Sequence, residues 1–271
     1  MTATTTHPPL EQCSLVLSTV QGGAFKSLVE CLRDIIFDCS LTFSGDGVKI
    51  STMDGARCSL IHAELSKFET LHCPSPLECG VNLQNLYKLL RSITSTDALL
   101  LWIAKDAPSE LAILISSEQK SSKTFYRYKL LDVDTHHLTL PETSFERVFT
   151  MPSNTLQRLA RDMSALAETI TIRSVGGDIT FSCCGDFASQ ETTLSPQLEA
   201  SGVVCHASGE NGGEVVSNSY LAKYIQLFAR ASSLSNTVTL FLKNQFPLVV
   251  QYEVGGLGVL RFLLAPKTLE S

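Results

Sequence analysis

The sequence predicts an α+β protein of two similar domains, each with two helices laid on antiparallel sheets. Three observations carry that prediction: an order of strands and amphipathic helices that occurs twice, a matched spacing between the two occurrences, and an extended segment between them. Phe25 and Leu156, on the apolar faces of the first helix of each half, are 131 residues apart. Gly45 and Gly176, in the first hairpins, are also 131 apart, and Leu86 and Leu221, in the second helices, 135. Side-chain identity between the halves is slight, so what repeats is pattern and spacing.

In chain order, residues 1–13 read as a polar extension, with neither the basic nor the apolar region of a signal peptide. A first domain spans 14–128. It opens with the alternating run SLVLSTVQ, a strand broken by Gly22-Gly23. Phe25, Leu28, Val29, Leu32 and Ile36 then recur at helical spacing. SLTFSGDGVKIST is a hairpin around Gly45-Asp46-Gly47, and RCSLIHAELS and LECGVN are strands. Leu86, Leu89, Leu90 and Ile93 mark a second helix, followed by strands in ALLLWIAKD, ELAILISSEQ and KTFYRYKLL.

A second domain spans 147–271. RVFTM is a strand, and Met151-Pro152-Ser153-Asn154 opens a helix whose apolar face is Leu156, Leu159, Ala160 and Met163. TITIRSVGGDITFSCC is a hairpin around Gly176-Gly177-Asp178; QETTLS and GVVCHASG are strands, with an exposed loop at Gly209–Gly213. Leu221, Tyr224, Ile225 and Phe228 mark the fourth helix. TVTLFLKNQFPLVVQYEV and GVLRFLLAP close the chain as strands around a turn at Gly255-Gly256.

Residues 129–146 connect the domains. Leu130, Leu131, Val133, Leu138, Leu140 and Phe145 alternate with polar residues, so the segment should lie extended over a surface. It reads either as an ordinary connector or as one that also walls a docking site.

The chain has 271 residues, 44% hydrophobic and 18% charged, in the range of a soluble globular protein with room for two cores. No apolar run approaches the roughly 18 residues that span a bilayer. Nine cysteines without a CxxC pair favour reduced, buried thiols in an intracellular chain, with no metal or other cofactor expected.

Net charge is −6, which taken alone argues against a nucleic-acid partner. Its distribution reverses that inference. Each helix carries two basic residues that return to nearly one side: Lys26 and Arg33, Lys88 and Arg91, Arg158 and Arg161, Lys223 and Arg230. Against these eight the helices set only Glu30, Asp34 and Asp162, a surplus of five that leaves −11 on the rest of the chain. Single pairs of this kind are common on surface helices, and Glu30 sits where it neutralises part of the first; four pairs in four helices point to phosphate. Aromatic residues are not expected among the charges on the helix faces, so stacking on single-stranded bases is not expected. A helix of about 12 residues is ~18 Å long and bridges phosphates across the ~12 Å major groove without entering it. The contact should be sequence-blind and salt-sensitive.

The runs VQGGAFKSLVECLRDII, GVKISTMDGARCSLI, ECGVNLQNLYKLLRS, KLLDVDTHHLTLPE, MPSNTLQRLARDMSAL, LSNTVTLFLKNQFPLVVQYEV and LRFLLAPK resemble the eukaryotic-type DNA sliding clamp, the proliferating cell nuclear antigen family, over about Ser14–Lys267. The resemblance implies a DNA polymerase processivity factor: a closed homotrimeric ring of six equivalent domains, with helices lining a channel around double-stranded DNA. On that reading the channel residues are the eight helix cations. DNA polymerase, clamp loader and other clamp-binding-motif proteins would enter a pocket beneath the connector, its wall formed by Met53, Cys58, Leu138, Leu140, Phe145, Pro247, Leu263, Ala265 and Pro266. Subunits would join strand edge to strand edge, Ser122–Lys129 against Phe187–Leu194, with Tyr126, Phe187 and Leu194 at the seam. The family context implies the nucleus, or a viral replication site if virus-encoded, and no membrane. Three departures stand out: Leu263 where relatives often carry a second aromatic residue, Gly176 where they carry a modifiable lysine, and an acidic tail reduced to TLES.

Two rivals remain. One is a subunit of a heterotrimeric, checkpoint-type clamp. The other is an enzyme, for which Cys183-Cys184, His136-His137 and His206 are the only candidates; no nucleophile–base spacing accompanies them, and Gly255-Gly256 in GGLG reads as a turn and not a dinucleotide loop. The expectation is no catalytic residue and no enzyme activity.

Overall fold

The computed structural model describes residues 8–133, 143–197, 201–207 and 215–267. Both halves run strand, helix, five strands, helix, three strands. The first half is β1 (Cys13–Thr19), α1 (Gly22–Leu32), β2 (Asp38–Ser44), β3 (Gly47–Met53), β4 (Ser59–Leu65), β5 (Thr70–His72), β6 (Leu77–Asn82), α2 (Leu83–Leu90), β7 (Ala98–Ala104), β8 (Glu110–Ser117) and β9 (Ser122–Lys129). The second is β10 (Arg147–Pro152), α3 (Ser153–Ser164), β11 (Thr169–Val175), β12 (Asp178–Cys184), β13 (Ser189–Leu194), β14 (Val204–Ala207), β15 (Val216–Leu221), α4 (Ala222–Ala229), β16 (Thr237–Leu242), β17 (Leu248–Val254) and β18 (Gly258–Leu264).

The repeat extends to the strand pairing. β1 lies between β5 and β7, as β10 lies between β14 and β16. β2 lies between β3 and β6, as β11 lies between β12 and β15. All these pairs are antiparallel, the α+β architecture expected. The chain packs as two compact units, one of Met1–Thr52, His62–His137 and Val254–Val259, the other of Met53–Ile61, Leu138–Glu253 and Leu260–Ser271.

The helices bury most of the stripes their sequence predicts, though Leu89 of α2 and Leu221 are only half-buried. α1 buries Phe25, Leu28, Val29 and Leu32, and α3 buries Leu156, Leu159, Ala160 and Met163. In the second unit Phe228 of α4 stacks on Phe262 of β18, ring centroids 4.4 Å apart, with Tyr252 edge-on to Phe262. Six of the nine cysteines are buried and all are free thiols. Burial pushes the thiols of Cys39 and Cys79 up to about 12, so both stay protonated and behave as small apolar side chains.

Departures from the sequence reading have local causes. Gly22-Gly23 does not separate strand from helix; α1 begins at Gly22. A Cβ on Gly22 would sit 2.6 Å from the Asp97 carbonyl oxygen, so the first helical turn needs glycine to tuck against the turn before β7. Ile36 and Ile93 are buried, yet both helices end before them. Apolar spacing reports burial, and the turn after each helix continues the same buried face. Leu221 closes β15 instead of opening α4. β5, only three residues long, had no periodicity to read. β1 begins at a fully buried Cys13, within the stretch read as extension. The Gly209–Gly213 loop lies outside the described residues.

The connector leaves β9 after Lys129. Leu130 N–H donates to the Ser109 carbonyl at 2.9 Å, and Leu131 N–H to that of Gly80 at 2.8 Å. A Cβ on Gly80 would run into the Leu131 carbonyl oxygen and the Val133 side chain. Gly80→Ala is therefore expected to push the start of the connector off β6, at a cost of about 1–3 kcal/mol. A urea denaturation midpoint equal to that of the wild type would contradict this.

Candidate nucleic-acid and partner interfaces

In the first unit α1 and α2 lie side by side, and their four cations have different fates. Lys26 is half-buried, its Nζ donating to the Ile93 carbonyl at 2.9 Å. Arg33, also half-buried, lies over the Tyr87 ring at 3.8 Å and beside Asp34. The Tyr87 hydroxyl donates to Glu30 at 2.7 Å, so that acid is held by the same ring. Lys88 and Arg91 are exposed, with Lys88 touching Asn85. Tyr87 corrects the expectation that no aromatic residue stands among the helix charges. Tyr87 stands next to Lys88 in the chain, but its pairing with Arg33 on the neighbouring helix is a tertiary contact that the sequence does not show.

In the second unit α3 and α4 are likewise neighbours. Arg158, Arg161, Lys223 and Arg230 are all exposed. Arg161 meets Asp162 at 3.2 Å; at 69% and 44% side-chain exposure this pair is solvent-screened and contributes little. Lys223 Nζ stands 5.0 Å from the centroid of the Tyr224 ring, which α4 turns inward. Six of the eight proposed cations are thus displayed to solvent, while Lys26 of α1 and Arg33, its C-cap, are engaged within the fold; Arg33, Arg91 and Arg230 cap their helices where the sequence reading placed them inside.

The described wall positions all fall in the second unit. Met53 is 40% exposed, Ala265 exposed, and Cys58, Phe145, Pro247 and Pro266 half-buried; Leu263 is only 8% exposed and acts mainly as core. Leu138 and Leu140 lie outside the described residues. Ala265 N–H donates to the Cys58 carbonyl at 3.0 Å, joining two of these positions directly. Phe145, at the far end of the connector, packs against Phe241 and Phe246, next to Pro247.

Between Met53 and Cys58 the chain makes a tight loop around Asp54. Its carboxylate accepts from Ser59 N–H at 2.6 Å, from Ala56 N–H at 3.1 Å and from the Tyr224 hydroxyl at 2.6 Å. Burial by itself would raise this carboxyl; the hydrogen bond from Tyr224 and those from the loop outweigh burial and hold it below the usual carboxylate range. Arg57 adopts φ of 55°, a left-handed conformation that costs a non-glycine residue on the order of 1 kcal/mol. The loop therefore needs the Asp54 bonds to persist. Sequence reading named the loop's flanks and missed Asp54 and Tyr224, which lie 170 residues apart.

β9 and β13 are sheet edges: β9 pairs with β8 and β13 with β12, each with its other side open among the described residues. Tyr126 and Leu194 are half-buried, and Phe187, just before β13, is 79% exposed. Elsewhere His206 is exposed and bonded to Thr150, Cys183 is buried and Cys184 exposed, and His136-His137 lie outside the described residues. Among the described residues no cluster of three His, Cys, Asp or Glu side chains is placed to hold a metal, and no helix is long and apolar enough to cross a membrane.

Comparison with known proteins assigns the class. The chain is 34% identical over 256 residues to "Probable DNA polymerase sliding clamp 1" of Paramecium bursaria Chlorella virus 1, covering 92% of this chain and 95% of the relative. It is 35% identical over 249 residues, 91% and 95% of the two chains, to the proliferating cell nuclear antigen of Chaetomium thermophilum. The crystal structure of proliferating cellular nuclear antigen from Entamoeba histolytica superposes with a TM-score of 0.85 at 25% identity, covering 94% of this chain and all of that one. Doubled topology and relatives agree on a sliding clamp. Family models for the N-terminal and C-terminal domains of proliferating cell nuclear antigen match residues 15–137 and 139–267, and the chain belongs to that family. Its members are clamps without enzymatic activity.

Proposed function

We propose that this chain is a DNA polymerase processivity factor that acts as a ring of three copies around duplex DNA. The observation that carries the proposal is the helix pair occurring twice, with Lys88 and Arg91 displayed in one unit and Arg158, Arg161, Lys223 and Arg230 in the other. Such a surface offers phosphates a diffuse positive field without reading bases. Topology supplies retention, so affinity stays low enough for sliding.

The open edges of β9 and β13 support ring closure. In the repeat β9 corresponds to β18 and β13 to β4, and Ala265, just after β18, already bonds to Cys58, just before β4. The same relation between β9 of one copy and β13 of the next is head-to-tail and closes into a ring. Clamp loader, polymerase and other motif-bearing partners of replication and repair would dock at the surface around Met53, Cys58, Phe145, Pro247 and Ala265, in the nucleus or at a viral replication site. The domain limits 14–128 and 147–271, with 129–146 between, are part of this proposal.

Light scattering of the isolated chain should give three times the mass of one copy. Loaded on a closed duplex circle the protein should stay bound, and it should run off once the circle is cut. A monomer that trimerises only with other polypeptides would establish the checkpoint-type heterotrimer instead.

A further inference from the structure

The partner-binding reading leaves Tyr224 without a role, although this residue of α4 is bonded to the loop between Met53 and Cys58. Its ring is buried and its hydroxyl donates to Asp54 Oδ2 at 2.6 Å. That carboxylate also closes the loop on itself through Ala56 and Ser59 N–H, and Asp54 N–H in turn donates to the Ser59 carbonyl at 3.0 Å. Phe228, one turn further along α4, is fixed against Phe262. The hydroxyl thus hangs on a rigid helix, while the loop it holds contains a left-handed Arg57 and follows a half-exposed Met53. A loop of this kind keeps one shape only while its surroundings over-determine it.

We infer that Tyr224 is a positioning residue for partner binding: through Asp54 it holds the Met53–Cys58 loop in the shape that receives a clamp-binding peptide. Lys223, the preceding residue of the same helix, is exposed, so a single element serves both proposed surfaces. The inference rests on the proposed partner site and adds what keeps it formed.

The test uses the full-length protein and a fluorescein-labelled peptide carrying a polymerase clamp-binding motif, read by fluorescence anisotropy. Tyr224→Phe keeps the ring and removes only the hydroxyl, and should weaken peptide binding about tenfold, as loss of a hydrogen bond to a charged group does. Asp54→Asn should weaken it at least as much, and the double variant should be no worse than the weaker single one, because both remove one tie. Subunit mass and salt-dependent duplex binding should not change. Peptide binding within twofold of wild type in Tyr224→Phe, or losses that simply multiply in the double variant, would overturn the inference. If wild type itself fails to bind, the partner site is wrong and the role of Tyr224 falls with it. Should Tyr224→Phe fail to fold, Asp54→Asn alone decides, by the same tenfold criterion.

Discussion

A variant with Lys88, Arg91, Arg158 and Arg161 all replaced by alanine is expected to bind linear duplex roughly ten- to a hundredfold more weakly, with a flatter salt dependence. Each lost phosphate contact should reduce the slope of log K against log salt by about one. All four side chains are exposed, so the fold loses little with them. Lys26→Ala and Arg33→Ala make the informative contrast. These cations are committed to the Ile93 carbonyl and the Tyr87 ring, so removing them should lower stability and leave the salt slope nearly unchanged. Binding to linear duplex whose salt slope is the same with and without the four exposed cations would end the case for a phosphate-facing surface.

The second large effect is expected at the seam. Phe187 is an apolar side chain 79% exposed in the isolated chain, beside a strand edge that is unpaired among the described residues. Exposed aromatic residues next to open edges are costly unless a partner covers them. Phe187→Asp places a charge where the ring would be buried, at about 2 kcal/mol or more per seam, which is roughly thirtyfold in each interface constant. Sedimentation velocity should then show monomers at concentrations where the wild type is a trimer, and retention on closed circles should vanish. A Phe187→Asp protein that still sediments as a trimer would place the seam elsewhere.

Much of this was legible in the chain itself, for reasons that differ from element to element. The helix stripes were readable because burial on one face imposes a 3.6-residue period, as in Leu156, Leu159, Ala160 and Met163. The same rule overran the helix ends, since Ile36 and Ile93 satisfy the period from within turns. Short β5 carried no such signal. The candidate surfaces were legible as residue types: eight cations on four helices, and the wall positions by resemblance to a family. How each cation is employed was not, because Lys26 and Arg33 differ from Lys88 and Arg91 only in what stands across from them.

By itself, then, the sequence determined the doubled α+β plan, the helix faces, the segregation of positive charge onto the helices and the membership of the sliding-clamp family, because each is written in periodicity, spacing or motif. Only the tertiary structure decided that Lys26 and Arg33 are half-buried and engaged, that β9 and β13 have open edges among the described residues, and that Asp54 meets Tyr224. Those facts depend on contacts between residues far apart in the chain, and pairing at a distance leaves no period to read.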